Sequence, residues 1–163
     1  MVFPLSRESA SLQGNQVTVR DWRTDIALGR TVFETELQVR PDDIDMNRHV
    51  HASRYQDYVL AARYDQMTRC YGMSMEAFLA EGLTWYARVA HFEYKRALKL
   101  GDTFRVRTWV DAVAETDVRV GFELVRGIPG KICCDGWCEF TLVSVDSGRP
   151  APIPQHVLEK YSV

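Results

Sequence analysis

One helical stretch constrains this chain more than any other. Residues 53–71 carry Tyr55, Tyr58, Val59, Leu60, Ala62, Tyr64, Met67, Cys70 and Tyr71, so the helix they predict has apolar side chains on more than one side. A helix on the surface of a globular domain buries one apolar stripe, whereas apolar residues on several sides call for a helix that is wrapped. Ser53 is placed to cap its start, and Arg69 followed by Gly72 to end it. The rest of the chain must then enclose this helix.

What surrounds it reads mostly as strands. Over residues 31–40, Phe33, Thr35, Leu37 and Val39 alternate with Glu34, Glu36 and Gln38, which predicts a half-buried strand stopped by Pro41. Ser74 opens a short helix over 75–81, closed by Gly82. Residues 83–96 are rich in aromatic and β-branched residues and predict a long strand, with a turn at Leu100-Gly101-Asp102. Two cleanly alternating strands follow, one on Phe104, Val106, Thr108 and Val110, the next on Val118, Val120, Phe122 and Leu124, joined through residues 114–117. Gly127-Ile128-Pro129-Gly130 is a turn, residues 131–145 a last strand, and 156–161 a final helical turn after an extended proline-bearing tail. Residues 1–29 lack a periodic pattern beyond a hint of an edge strand over 16–22 and read as an arm. One helix, then a short one, then four strands with tight connections is an α+β order: an antiparallel sheet around one helix, forming a single domain over 1–163.

Charge and composition exclude several function classes. A formal net charge of −2 argues against a nucleic-acid partner held by a general basic field, and no apolar run is long enough to span a membrane. The N-terminus has no basic region followed by an apolar one, so a cytoplasmic location is expected. Cys133, Cys134 and Cys138 fall in a strand-like run without a paired metal spacing, and with Cys70 they read as reduced packing thiols. On a regular strand, Cys134 and Cys138 share a face and Cys133 points the other way. Neither a metal nor a cofactor is expected.

Chemistry concentrates just before the helix. The loop Asp42-Asp43-Ile44-Asp45-Met46-Asn47-Arg48-His49-Val50-His51-Ala52-Ser53 delivers carboxylate, amide and imidazole onto a helix start. Asp45, Asn47 and His49 recur at steps of two and would point to one side if the loop were extended. Asp42 and Asp43 read as solvated loop charges, and His51 and His91 as structural. Asp43, Asp45 and Asn47 copy the first ligands of a calcium loop, but Arg48 stands where that loop needs glycine and Arg54 where it needs a bidentate glutamate. A Gly-x-Ser-x-Gly nucleophile turn and a phosphate-cradling glycine loop are both missing.

These residues resemble the hotdog-fold acyl thioesterases. The resemblance covers residues 31–154 and rests on Asp43-x-Asp45-x-x-x-His49-Val50, Tyr55, Tyr94-Lys95-Arg96, Leu100-Gly101-Asp102 and the Gly-Arg-Pro and Ile-Pro of the tail. It implies a hotdog fold, an antiparallel sheet wrapped around one long central helix, assembled as a homodimer or homotetramer with sites at the interface. It also implies hydrolysis of acyl-CoA or acyl-carrier-protein thioesters. In the branch similar to 4-hydroxybenzoyl-CoA thioesterase the residue matching Asp45 is the catalytic carboxylate; in the plant acyl-carrier-protein branch Asp45, Asn47 and His49 match a catalytic set. Both converge on Asp45. Three departures stand out. The first branch commonly has glycine where this chain has Arg48 and asparagine where it has His51, and the plant branch has Glu-Cys where this chain has Ala97-Leu98.

The chemistry is coherent with that resemblance. Thioester hydrolysis needs a nucleophile or a base for water, and a carboxylate serves as either. It also needs donors for the developing oxyanion, which the amides around residues 51–54 at the helix start would supply. Ala52, Ser53, Tyr55, Tyr58 and Val59, with the strand over 85–92, are the expected substrate wall. The competing expectation is a hotdog module that binds acyl thioesters without turning them over.

Overall fold

The computed structural model describes residues 31–161. The expected arm over 1–29 and its short strand over 16–22 lie outside the described residues. The strand predicted first forms as β1 (Phe33–Gln38), followed by a single 3-10 turn at Pro41–Asp43, α1 (Arg54–Arg69) and α2 (Met75–Ala80). Then come β2 (Leu83–Tyr94), β3 (Thr103–Val113), β4 (Asp117–Arg126), β5 (Lys131–Ser144) and α3 (Gln155–Tyr161). The five strands make one sheet in the order β1-β3-β4-β5-β2, and every pairing is antiparallel.

The alternation that predicted the strands decides which face is buried. On β3, Phe104, Val106, Thr108 and Val110 are buried while Arg105, Arg107 and Trp109 lie toward the other face. Val120, Phe122 and Leu124 do the same on β4. Against this face α1 lays Tyr55, Tyr58, Val59, Ala62, Arg63, Gln66 and Met67, whose spacings of three and four keep them on one side of a helix. Each fully buried large apolar side chain contributes about 1.5–3 kcal/mol of hydrophobic stabilisation. The hotdog arrangement expected from sequence is thus present, but Leu60 and Tyr64 remain 37% and 50% exposed. The sheet of one chain covers one flank of the helix and leaves that second apolar flank outside.

Polar groups fix the helix in register. Gln66 is fully buried, and its amide donates to Thr35 Oγ1 at 3.1 Å and to the Phe33 and Val106 carbonyls at 3.4 and 3.5 Å, while its oxygen accepts from the Thr108 hydroxyl. One side chain therefore ties α1 to both β1 and β3. At the far end Tyr161 of α3 stacks on Tyr71 with ring centroids 4.2 Å apart.

Two features of β5 depart from a regular strand. The pairing with β4 slips between Leu124 and Val125, opposite Cys133, so Cys133 and Cys134 both enter the core instead of facing opposite ways. That corrects the regular-strand expectation: a bulge inserts one residue and turns the next side chain. Gly136 lies so close to β2 that a Cβ there would come within 1.9 Å of the His91 carbonyl oxygen, so only glycine lets the two backbones approach. The four cysteines are free thiols, and burial pushes Cys134 up to about 12 and Cys138 up to about 11, which makes them packing groups rather than nucleophiles.

Candidate active site

Pro41 stops β1, and the chain turns into the loop before α1. The base of that loop is built on Asp43. Its carboxylate accepts from Arg40 Nε at 2.7 Å and from the Tyr58 hydroxyl at 2.6 Å, and Arg54 Nε lies 3.6 Å away. Asp43 is 3% exposed, so the expectation of a solvated loop charge is wrong. A carboxylate can be buried there because two guanidinium groups and a hydroxyl replace its water. Burial raises its pKa, but the Arg40 and Tyr58 hydrogen bonds and the two arginine charges outweigh that and hold it below the ordinary value. Arg40 three residues before and Arg54 at the helix start were the sequence signal for this pairing.

The loop itself closes like a small hairpin. Ile44 bridges Val50, Asp45 N donates to the His49 carbonyl at 2.8 Å, and Arg48 N donates to the Asp45 carbonyl at 3.0 Å. Asp45, Asn47 and His49 therefore do not line one side of an extended strand. They are brought together through the backbone: Asp45 Oδ1 accepts the Asn47 amide at 2.8 Å and the His49 amide at 3.3 Å. Desolvation works to raise the Asp45 pKa, but the His49 and Asn47 amides, the Asn47 side chain and the His49 charge together lower it. A carboxylate held so is ionised at neutral pH. Asn47 and His49 are exposed, Asp45 less so. Arg48 has φ 62°, the left-handed region where glycine is at ease, which accounts for the glycine that the resembling branch carries at this position.

Ser53 does not cap α1 with its side chain: its backbone is already helical, and its hydroxyl lies 2.9 Å from His51 Nδ1. The amides around the helix start are also mostly engaged. His51 N donates to the Asp43 carbonyl at 2.8 Å, Ser53 N to His51 Nδ1 at 3.2 Å and Arg54 N to the His51 carbonyl at 2.9 Å. The Ala52 N–H alone of residues 51–54 has no acceptor among the described residues. The Ala52 carbonyl accepts the Tyr94 hydroxyl at 3.0 Å, so the end of β2 is pinned to the helix start. Behind it, Leu98 N donates to the Tyr55 hydroxyl at 3.1 Å and Val50 N donates to the Leu98 carbonyl at 2.9 Å. Leu98, which stands where the plant branch has a thiol, is a buried strut for the loop.

Of the expected substrate wall, Tyr55, Tyr58 and Val59 are 3%, 3% and 1% exposed and pack in the core. The space beside α1 lies further along it. A cavity of about 300 Å³ is walled by Leu60 and Met67 of α1, Trp85 of β2, Val113 of β3, Phe140 of β5 and Val157 of α3. No local pattern in the sequence marks this cavity, because its walls come from seven elements whose neighbours are set by topology.

A family model described as the thioesterase-like superfamily matches residues 39–161. The chain belongs to that superfamily. The match takes in the loop, α1 and all of β2 to β5. Several solved structures share the fold. DHNA-CoA thioesterase from Staphylococcus aureus superposes with a TM-score of 0.70 at 19% identity, covering 80% of this chain and 83% of that one. The hypothetical protein SAV2348 from Staphylococcus aureus in complex with CoA gives 0.73 at 18% identity, over 80% and 82%. The probable thioesterase YbaW from Escherichia coli gives 0.70 at 16% identity, over 79% and 96%. At these identities the likeness is one of fold. No curated protein matches the sequence. Among the described residues, no helix is long and apolar enough to cross a membrane.

Proposed function

We propose that the protein hydrolyses acyl thioesters of coenzyme A, with Asp45 as the catalytic carboxylate. The observation that carries this reading is the Asp45 carboxylate, held ionised by two amides of its own loop just before the start of α1, in a chain of the thioesterase-like superfamily. Asp45 either takes a proton from water as the water oxygen attacks the acyl carbonyl carbon, or attacks that carbon itself and forms an anhydride that water opens. In both routes the carbon–sulfur bond breaks and the thiolate leaves, gaining its proton from His49 or from solvent. The Ala52 N–H at the positive end of α1 is the donor proposed for the oxyanion. Asn47 orients the carboxylate or the water. Ala52 and Ser53 sit beside the thioester, and Tyr55, Tyr58 and Val59 support that wall from within the core.

Coenzyme A is favoured over a carrier protein because one structural neighbour was solved with CoA and another is named for a CoA thioester. A homodimer, or a homotetramer built from it, is the proposed assembly, and β2 supports it: it is an edge strand twelve residues long, with Tyr86 63% and Tyr94 53% exposed, and a second copy would satisfy it. Four free cysteines suit a reducing compartment such as the cytoplasm. The test is a panel of acyl-CoA and acyl-carrier-protein thioesters, aliphatic and aromatic, read by thiol release. Turnover of CoA thioesters that disappears in Asp45→Ala supports the assignment. Thioester binding without thiol release from the parent protein would replace it with a binding module.

A further inference from the structure

Arg63 is the one charged residue among those that line the cavity beside α1, and it is 8% exposed. Arginine is seldom buried to this degree without a carboxylate. Its Nη1 donates to Thr108 Oγ1 at 3.3 Å and reaches the Tyr71 hydroxyl at 3.5 Å, and its guanidinium carbon lies 5.2 Å from the centre of the Tyr71 ring. These are neutral partners. No carboxylate pairs with it among the described residues, and its Nε and Nη2 donors have no acceptor there. A guanidinium carries five donors in a planar fork, and the Nε–Nη2 edge left over here can take a carboxylate by two parallel bonds. The remaining walls are almost wholly aliphatic and aromatic.

We infer that this cavity takes an apolar chain ending in a carboxylate, with the Arg63 guanidinium as its anchor. Such a chain has two sources. One is an acyl group that bears a second carboxylate at its far end, still joined to CoA. The other is a free fatty acid, the hydrolysis product. Arg63 lies ten residues beyond Ser53, about 15 Å along α1 at a helical rise of 1.5 Å per residue, so the far end of an extended acyl group is the part that matches it. The first source rests on the thioesterase reading; the binding of a free acid does not.

Calorimetric titration of the intact protein with octanoate and with octanol separates charge from apolar burial. Octanoate is expected to bind about tenfold or more tighter than octanol, and Arg63→Met, which keeps the bulk of the side chain, to bring the two together. Equal affinities in the parent, no binding of either, or an octanoate preference that survives Arg63→Met in a folded variant would overturn the proposal. If Arg63→Met does not fold, the octanoate-to-octanol ratio of the parent decides. The sources separate by thiol release. A kcat/KM for an ω-carboxyacyl-CoA above that of the plain acyl-CoA of equal length, reversed by Arg63→Met, assigns the carboxylate to the acyl group. A lower kcat/KM together with competitive inhibition by octanoate assigns it to the free acid. Octanoate binding in a protein that releases no thiol would sink the thioesterase reading and leave this one standing.

Discussion

Asp43 and Asp45 stand two residues apart and occupy opposite surroundings. Asp43, at the base of the loop, is buried and held by side chains from outside it: Arg40, Arg54 and Tyr58. Asp45, at the tip, is held by amides of its own loop and is nearer to solvent. Both carboxyls lie below the ordinary aspartate value. The causes differ, and so do the consequences. A buried carboxylate fixed by two arginines and a buried tyrosine stabilises a fold, whereas one fixed by local amides keeps an edge free for a reactant. The base is rigid so that the tip can be exposed and still be placed.

The sharpest way to break this comparison is to remove each carboxylate in turn. Asp45→Ala is expected to lower thioester hydrolysis by about 10²–10⁴-fold with a smaller fall in melting temperature than Asp43→Ala, since only two exposed loop amides lose their acceptor, as seen by thiol release beside thermal unfolding. A variant that turns over at the parent rate would show that the tip carboxylate is not the catalyst. Asp43→Ala should behave the other way and cost about 2–3 kcal/mol of stability in urea unfolding, since charge-assisted hydrogen bonds are lost and the Tyr58 hydroxyl is left buried without its acceptor.

Acid titration sharpens the same contrast. The Asp43 carboxyl is lowered in the folded state, so its stabilisation is fully present above the unfolded aspartate value, about 3.9, and is lost as pH falls through the lower folded value. The parent should therefore lose stability below about pH 4, and Asp43→Asn should flatten part of that slope. An identical slope in the two proteins would remove Asp43 from the account. Smaller effects are expected around the tip. Asn47→Ala and His49→Ala should each cost about tenfold in rate, because water can replace orientation and proton delivery in part. Smallest is Arg48→Gly, which relieves a left-handed backbone at the cost of a freer unfolded chain. A gain of about 0.5–1 kcal/mol is expected with little change in rate; a loss of stability would mean that the Arg48 side chain supports the loop.

The sequence by itself determined the elements and the address of the chemistry. Period-two alternation on Phe104 to Val110 and on Val120 to Leu124 marks a buried face because side chains on a strand alternate, and that is a local fact. The loop before α1 is legible for the same reason, since Asp45, Asn47 and His49 are near in sequence and stay near in any fold. Tertiary structure alone decided the pairings between distant residues. It set β2 beside β5 instead of β3, turned Cys133 inward through a bulge, and left Leu60 and Tyr64 of α1 uncovered. It made Asp43 a buried anchor by closing Arg40, Arg54 and Tyr58 around it, and it gathered seven elements around a cavity with Arg63 in its wall. Periodicity reports which face of an element is buried; what that face meets depends on contacts between residues far apart in the chain, which no local pattern records.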